Sequence, residues 1–117
     1  MLKTLKYILQ ANKFLHLPKV MRRVVFYSEG KNYWPLFKGL IIGILDQSDL
    51  NVCYITSGND DPGLEFSDNH FKSFLIDESY VRNWLFENMQ AEMMIMTMPD
   101  LNNYQVKRSK YPVHYIY

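Results

Sequence analysis

The chain has 117 residues, which is enough for one domain and too few for two complete ones. Hydrophobic residues make up 48% of it, with only five prolines and five glycines, so the composition predicts a folded core and argues against disorder. The formal net charge is +1, and no apolar run is long enough to span a bilayer or to form a secretory signal.

Residues 1–21 are predicted to form a basic amphipathic segment. Apolar side chains recur there at helical spacing (Leu2, Leu5, Ile8, Leu9 and Leu15), and Pro18 would end the helix. Residues 1–23 hold six lysines and arginines and no acid, whereas residues 24–99 hold four basic residues against eleven acids. This uneven charge argues against a nucleic-acid partner. The helix either packs on the domain or lies on an anionic membrane surface.

Residues 22–117 alternate between patterns typical of strands and of helices. Short apolar runs predict strands at residues 23–28, 51–57, 73–77, 92–98 and 113–117. A helix is predicted after the first strand, with Asn32 as its N-cap and Pro35 in its first turn. Another is predicted after the third strand, capped by Asp77 or Ser79.

No helical period is visible between the second and third strands. The alternation elsewhere nevertheless predicts an α/β, Rossmann-like domain, with a mainly parallel sheet of about five strands and helices on both faces. Because the chain ends within the last predicted strand, we expect residues 22–117 to be a domain truncated at its C-terminal end.

Cysteine, histidine and methionine give little reason to expect a metal or a cofactor. Cys53 is the only cysteine and lies in an apolar run, which predicts a buried structural thiol. The three histidines lack ligand spacing, and His114 is predicted to be packed within the last strand. The methionines within residues 93–98 indicate a buried strand rather than a soft-metal site.

The candidate binding residues lie where the predicted strands end, because ligands of open parallel sheets bind outside the carboxyl ends of the strands. They are Ser28, Glu29, Gly30, Lys31 and Asn32 after the first strand, Thr97 and Asp100 after the fourth, and the cations Lys107 and Arg108. Their carboxylates, hydroxyls and cations suit a phosphate-bearing ligand. The alternative is that they only shape loops, and that Gly30 merely supplies a positive φ.

Several common catalytic patterns are missing. The turn after the first strand is not a GxGxxG fingerprint, and the chain has no GxxxxGK[ST] loop and no GxSxG nucleophile elbow. A phosphorelay receiver would need an acidic pair after the first strand, where only Glu29 is present. A tightly bound nucleotide, a serine hydrolase and a receiver are therefore all poorly supported.

Four segments in order resemble the CDP-glycerol glycerophosphotransferase family, whose members polymerise teichoic-acid-like chains. They are VFYSEGKNYWP at residues 25–35, DDPGL at 60–64, TMPDL at 97–101, and KRS at 107–109 before a tyrosine-rich strand. The resemblance covers roughly residues 22–117.

The resemblance implies a bacterial transferase of GT-B architecture, in which this chain would be the acceptor-side, N-terminal half. The enzyme would extend a glycerol phosphate polymer or other membrane-linked acceptor at the cytoplasmic face of the membrane. CDP-glycerol would bind the other half, which also carries the histidine-containing catalytic motifs, so the chain alone would be inactive. The alternative is a stand-alone Rossmann-like binding or interaction module without transferase activity.

Overall fold

A computed structural model of the chain describes residues 2–96 and 109–116. The regular elements, in chain order, are α1 (Leu2–Leu15), β1 (Val24–Ser28), α2 (Trp34–Gln47), β2 (Val52–Thr56), β3 (Phe71–Leu75), α3 (Ser79–Glu87), β4 (Met93–Met96) and β5 (His114–Ile116). Short 3-10 turns at Lys19–Met21, Lys31–Tyr33 and Pro62–Leu64 lie between them. None of the described helices is long and apolar enough to cross a membrane.

The strands form one five-stranded sheet of order β3-β2-β1-β4-β5, and every neighbouring pair is parallel. The predicted parallel, Rossmann-like sheet is thus confirmed. All five residues of β1 and of β2 are buried. Strands covered on both faces need apolar side chains on both, which explains why these two runs show no alternation of polar and apolar residues.

The helices cover both faces of the sheet, as predicted. On one face, Trp34 and Phe37 of α2 pack in a cluster with Phe26 and Tyr54 of the central strands. On the other face, α1 and α3 share a larger cluster that includes Ile55. Right-handed crossovers account for this arrangement, because the chain moves one way across the sheet from β1 to β2 and the other way from β3 to β4.

Helix α1 packs on the domain with only part of the predicted apolar face, because Ile8 and Leu15 contact the core whereas Leu5 and Leu9 do not. Ala11 and Phe14 are fully buried, and the Phe14 ring meets Phe74 edge-on at 5.7 Å between centroids. Leu5 and Leu9, which belong to the predicted apolar face, are each 53% exposed. The buried face of the helix therefore combines Ile8 and Leu15 with Ala11 and Phe14, and it lies beside α3 and β3.

Two predicted helix caps are wrong. Asn32 lies within the 3-10 turn Lys31–Tyr33, and α2 begins only at Trp34. The cap of α3 is Glu78, neither Asp77 nor Ser79: its carboxylate accepts a 2.8 Å hydrogen bond from the Val81 amide. The extended backbone of Glu78 lets its longer side chain fold back onto the first turn. Pro35 does fall in the first turn of α2.

The strand boundaries shift by up to two residues. The third strand is Phe71–Leu75 rather than residues 73–77, because Phe71 pairs with Val52 at the start of β2. The first and second strands are each slightly shorter than predicted, and the fourth begins at Met93. Its predicted end at residue 98 lies outside the described residues. The link from β2 to β3 holds a 3-10 turn at Pro62–Leu64 and no α-helix, as expected.

Candidate functional site at the carboxyl edge of the sheet

The topology defines where a ligand of this sheet would bind. β1 lies between β2 and β4, so the strand order reverses at β1, and ligands of open parallel sheets bind outside the carboxyl ends of the strands at such a point. Dinucleotide-binding folds have this strand order, whereas receiver domains have order 2-1-3-4-5. The topology therefore excludes the receiver alternative.

The backbone after β1 is shaped by Ser28 and packs tightly on the loop after β2. Ser28 is fully buried; its hydroxyl donates to the Gly30 carbonyl at 2.8 Å and accepts from the Gly30 amide at 3.2 Å. Gly30 has a φ of 166°, which is extended and not left-handed. The alternative that Gly30 merely supplies a left-handed, positive φ is therefore wrong. A Cβ on Gly58 would lie 3.0 Å from the Gly30 Cα, so the two loops meet backbone to backbone.

Charged and polar side chains at this edge reach solvent. The Lys31 ammonium lies 3.3 Å from the Asp60 carboxylate, and their side chains are 61% and 59% exposed. Glu29 and Asn32 are exposed beside them. Of the five candidate residues after β1, four lie in one loop at this edge, next to Asp60 of the loop after β2; they are Glu29, Gly30, Lys31 and Asn32. Ser28 is buried beneath them. The remaining candidates, Thr97, Asp100, Lys107 and Arg108, lie outside the described residues.

Beneath that loop lies Asp61, a buried acid of the DDPGL segment that was not among the predicted binding residues. It is 2% exposed and accepts hydrogen bonds from the Tyr54 hydroxyl at 2.8 Å, the Thr56 hydroxyl at 2.6 Å and the Gly63 amide at 2.9 Å. Burial raises the pKa of Tyr54, and the nearby Asp61 carboxylate adds to that rise. Tyr54 therefore stays neutral and donates to Asp61, which makes Asp61 a structural anchor for the loop.

A second polar cluster lies on the α3 face of the same edge. The Ser57 hydroxyl is 2.7 Å from the Tyr27 hydroxyl and accepts a 3.1 Å hydrogen bond from Nη1 of Arg82. Burial raises the pKa of Tyr27, while the Arg82 charge opposes that rise. The sequence analysis missed Arg82. Its position in the first turn of the helix that follows β3 is the signal that could have placed it at this edge.

Other sequence predictions are settled by burial. Cys53 is buried, its thiol donates to the Met21 carbonyl at 3.1 Å, and burial raises its pKa to about 12, which confirms a structural thiol. Met94 and Met96 are buried, as expected for that strand.

The prediction that His114 is packed is wrong: it is exposed, because β5 is a short edge strand. Among the described residues, no group of three or more histidines, cysteines or acids could hold a metal ion.

Comparison with known protein families, with curated proteins and with solved structures finds no match to this chain. Cations, carboxylates and backbone amides at this edge suit binding and orientation of phosphates and hydroxyl groups.

Proposed function

We propose that this chain is the acceptor-side, N-terminal half of a CDP-glycerol-dependent glycerophosphotransferase of GT-B architecture. Its acceptor is a membrane-linked glycerol phosphate chain, as in a teichoic-acid-like or capsular polymer. The protein would then work in the cytoplasm, peripherally at the inner face of the cell membrane. CDP-glycerol and the catalytic base would belong to a second half.

One observation carries the proposal. Two of the segments that resemble the transferase family, residues 25–35 and 60–64, lie far apart in sequence and meet at the carboxyl edge. Lys31 of the first segment forms an ion pair with Asp60 of the second, and the backbones approach at Gly30 and Gly58. The resembling residues thus surround one surface beside the carboxyl end of β1, where ligands of such sheets bind.

The exposed side chains suggest a division of roles. Lys31 would bind a phosphate of the acceptor, because an incoming phosphate can replace Asp60 as its partner at little cost in an exposed ion pair. Glu29 would accept hydrogen bonds from glycerol hydroxyls. Thr97 and Asp100, which follow β4 in the sequence, would add a hydroxyl and a carboxylate for glycerol, and the cations Lys107 and Arg108 would add positive charge for the phosphate chain.

The proposed reaction is a phosphoryl transfer. The terminal hydroxyl oxygen of the acceptor attacks the phosphorus that carries glycerol in CDP-glycerol, and the bond from that phosphorus to the oxygen of CMP breaks. A phosphodiester forms, CMP leaves, and the hydroxyl proton passes to the base of the second half. In such reactions, positioning and charge stabilisation supply most of the catalysis, and this chain would contribute the positioning of the acceptor.

The direct test is binding of a short glycerol phosphate oligomer, measured by isothermal titration calorimetry. Lys31→Met should weaken binding about tenfold, since it removes a charged contact to phosphate. Lys38→Met is the matched control, because Lys38 is an exposed lysine of α2 away from this loop. Equal affinities for the wild type and both variants would refute the acceptor site.

A stand-alone Rossmann-like binding module is the second candidate. It is favoured by the central strands of the sheet, which already have helices packed on both faces. The two functions differ in one readout, namely whether the protein encoded by the whole reading frame releases CMP from CDP-glycerol when acceptor is added. Release supports the transferase, and binding of acceptor without release supports the module.

A further inference from the structure

A second cleft lies at the opposite edge of the sheet, before the amino ends of β1, β4 and β5. Its volume is about 530 Å³, and its walls include Lys19, Val20, Arg22, Arg23, Glu92 and Tyr111. We call it the amino-edge cleft. That volume is within the range of small-molecule sites, and none of the described residues assigned to acceptor binding lines it.

Arg22 in this cleft is a buried cation without a counterion. Arg22 is only 6% exposed, and its Nε has no hydrogen-bond partner. No described residue forms an ion pair with it. An arginine stays protonated at any physiological pH, and a buried charge is unfavourable unless it is paired. The fold thus holds a fixed positive charge beside an open cleft, and an anion bound in the cleft would pair with that charge.

The other charges of the amino-edge cleft leave it positive. Arg23 and Glu92 neutralise each other through a contact of 2.7 Å between Nε and Oε2. Lys19 is exposed and has no ion pair within the described part of the chain. Lys19 and Arg22 therefore leave the lining with two uncompensated positive charges.

The segment that carries these cations is held in place by its backbone. The Arg22 amide donates to the Lys19 carbonyl at 3.0 Å, which closes the 3-10 turn Lys19–Met21. The Cys53 thiol of β2 donates to the Met21 carbonyl at 3.1 Å. On the other side, the Glu92 and Met93 amides both donate to the Arg23 carbonyl. The site is thus built before any ligand arrives, which lowers the entropic cost of binding.

We infer that the amino-edge cleft binds a phosphate monoester group, with Arg22 and Lys19 contacting the phosphate. A phosphate monoester carries a charge of about −1.5 to −2 near neutral pH, which matches the two uncompensated cations. The planar guanidinium suits a phosphate with paired hydrogen bonds. Val20 and Tyr111 give the cleft apolar walls for the organic part of the ligand. This inference does not depend on the proposed transferase function.

The test uses phenyl phosphate as the probe, titrated into the ¹⁵N-labelled chain at constant ionic strength set with chloride. We expect saturable shifts of the Gln90, Ala91 and Glu92 amides, and none at Gly30 and Gly58 on the opposite edge. Arg22→Met should weaken binding at least about tenfold. The control variant Lys38→Met should leave the Kd unchanged.

A second variant keeps the test decisive if Arg22→Met fails to fold. Glu92→Gln removes the acid of the cleft and frees Arg23, so phenyl phosphate should bind about threefold or more tightly. Shifts that do not saturate, or a Kd unaffected by Glu92→Gln, would overturn the inference. Vesicles containing phosphatidic acid form a parallel arm: binding that Glu92→Gln strengthens there assigns the phosphate to a lipid headgroup, and binding of phenyl phosphate alone assigns it to a small molecule.

Discussion

The Tyr54 hydroxyl donates a 2.8 Å hydrogen bond to the Asp61 carboxylate, and both residues are almost completely buried. This contact ties the loop after β2 to the strand itself. The loop in turn carries Asp60, the partner of Lys31 at the candidate site. The geometry of the exposed edge therefore depends on a buried acid directly beneath it.

Asp61→Asn should destabilise the domain by about 2–4 kcal/mol. If the amide oxygen accepts from the Tyr54 and Thr56 hydroxyls, the amide NH2 group faces the Gly63 amide, which then loses its acceptor. Urea denaturation would measure the change in free energy of unfolding. Asp60→Asn is the neighbouring control and should cost less than about 0.5 kcal/mol, since it breaks only an exposed ion pair. Similar effects for the two variants would contradict the anchoring role.

Two glycines should respond to alanine in opposite directions. A Cβ on Gly63 would lie 2.4 Å from Cε2 of Tyr54, so Gly63→Ala should destabilise the fold by about 2 kcal/mol or more. Gly39 is exposed in the middle of α2 with no atom near its Cβ position. Gly39→Ala should therefore stabilise by up to about 1 kcal/mol through helix propensity. Thermal denaturation of both variants would measure these opposite changes in stability.

Stability should fall at alkaline pH because of Cys53. Burial raises its pKa from 9.0 to about 12, so in that window the unfolded chain loses a proton that the folded chain keeps. The free energy of unfolding is therefore not reduced by this thiol below pH 9, and it declines by about 1.4 kcal/mol for each pH unit above pH 9.

The measurement is a series of urea denaturation curves between pH 8 and 11. Cys53→Ala should be less stable at pH 8, because it leaves a small cavity, and its stability should decline less steeply with pH. Tyr54 would continue to contribute some decline in the variant, since its pKa is also raised. Parallel declines for the wild type and Cys53→Ala would rule out this role of the thiol.

Helix α1 should bind anionic vesicles through its outer surface while it remains packed on the domain. That surface combines the exposed Leu5 and Leu9 with Lys6 and Lys13. Each lysine near an anionic membrane contributes roughly 1 kcal/mol at low salt. We expect the chain to sediment with phosphatidylglycerol vesicles, to stay in the supernatant with phosphatidylcholine, and to dissociate in high salt.

The matched variants separate the two parts of that surface. Lys6→Gln with Lys13→Gln should abolish the preference for anionic vesicles, whereas Lys38→Gln on α2 should not change it. Equal binding to both kinds of vesicle would show that α1 serves packing alone.

The parallel sheet was predictable because its signal is local. Residues close together in the sequence form both the continuous apolar runs of β1 and β2 and the helical period of α2. The alternation of these two patterns predicts an α/β fold. The buried thiol of Cys53 followed from its place in such a run. Strand ends and helix caps were less predictable, since pairing with β2 set the start of β3 and the backbone of Glu78 set the cap of α3.

Contacts between distant residues were decided only by the tertiary structure. The sequence placed Lys31 after a strand, but the order of the strands brought it to Asp60. The sequence predicted one apolar face of α1, but the structure buries Phe14 beside Phe74 and leaves Leu5 and Leu9 of that face exposed. The sequence presents Arg22 as one cation among six, and it is distinguished only by its burial with no ion pair to any described residue and no partner for its Nε. Hydrophobic periodicity encodes which face of an element is buried, whereas the neighbours of each side chain depend on how all the elements pack together.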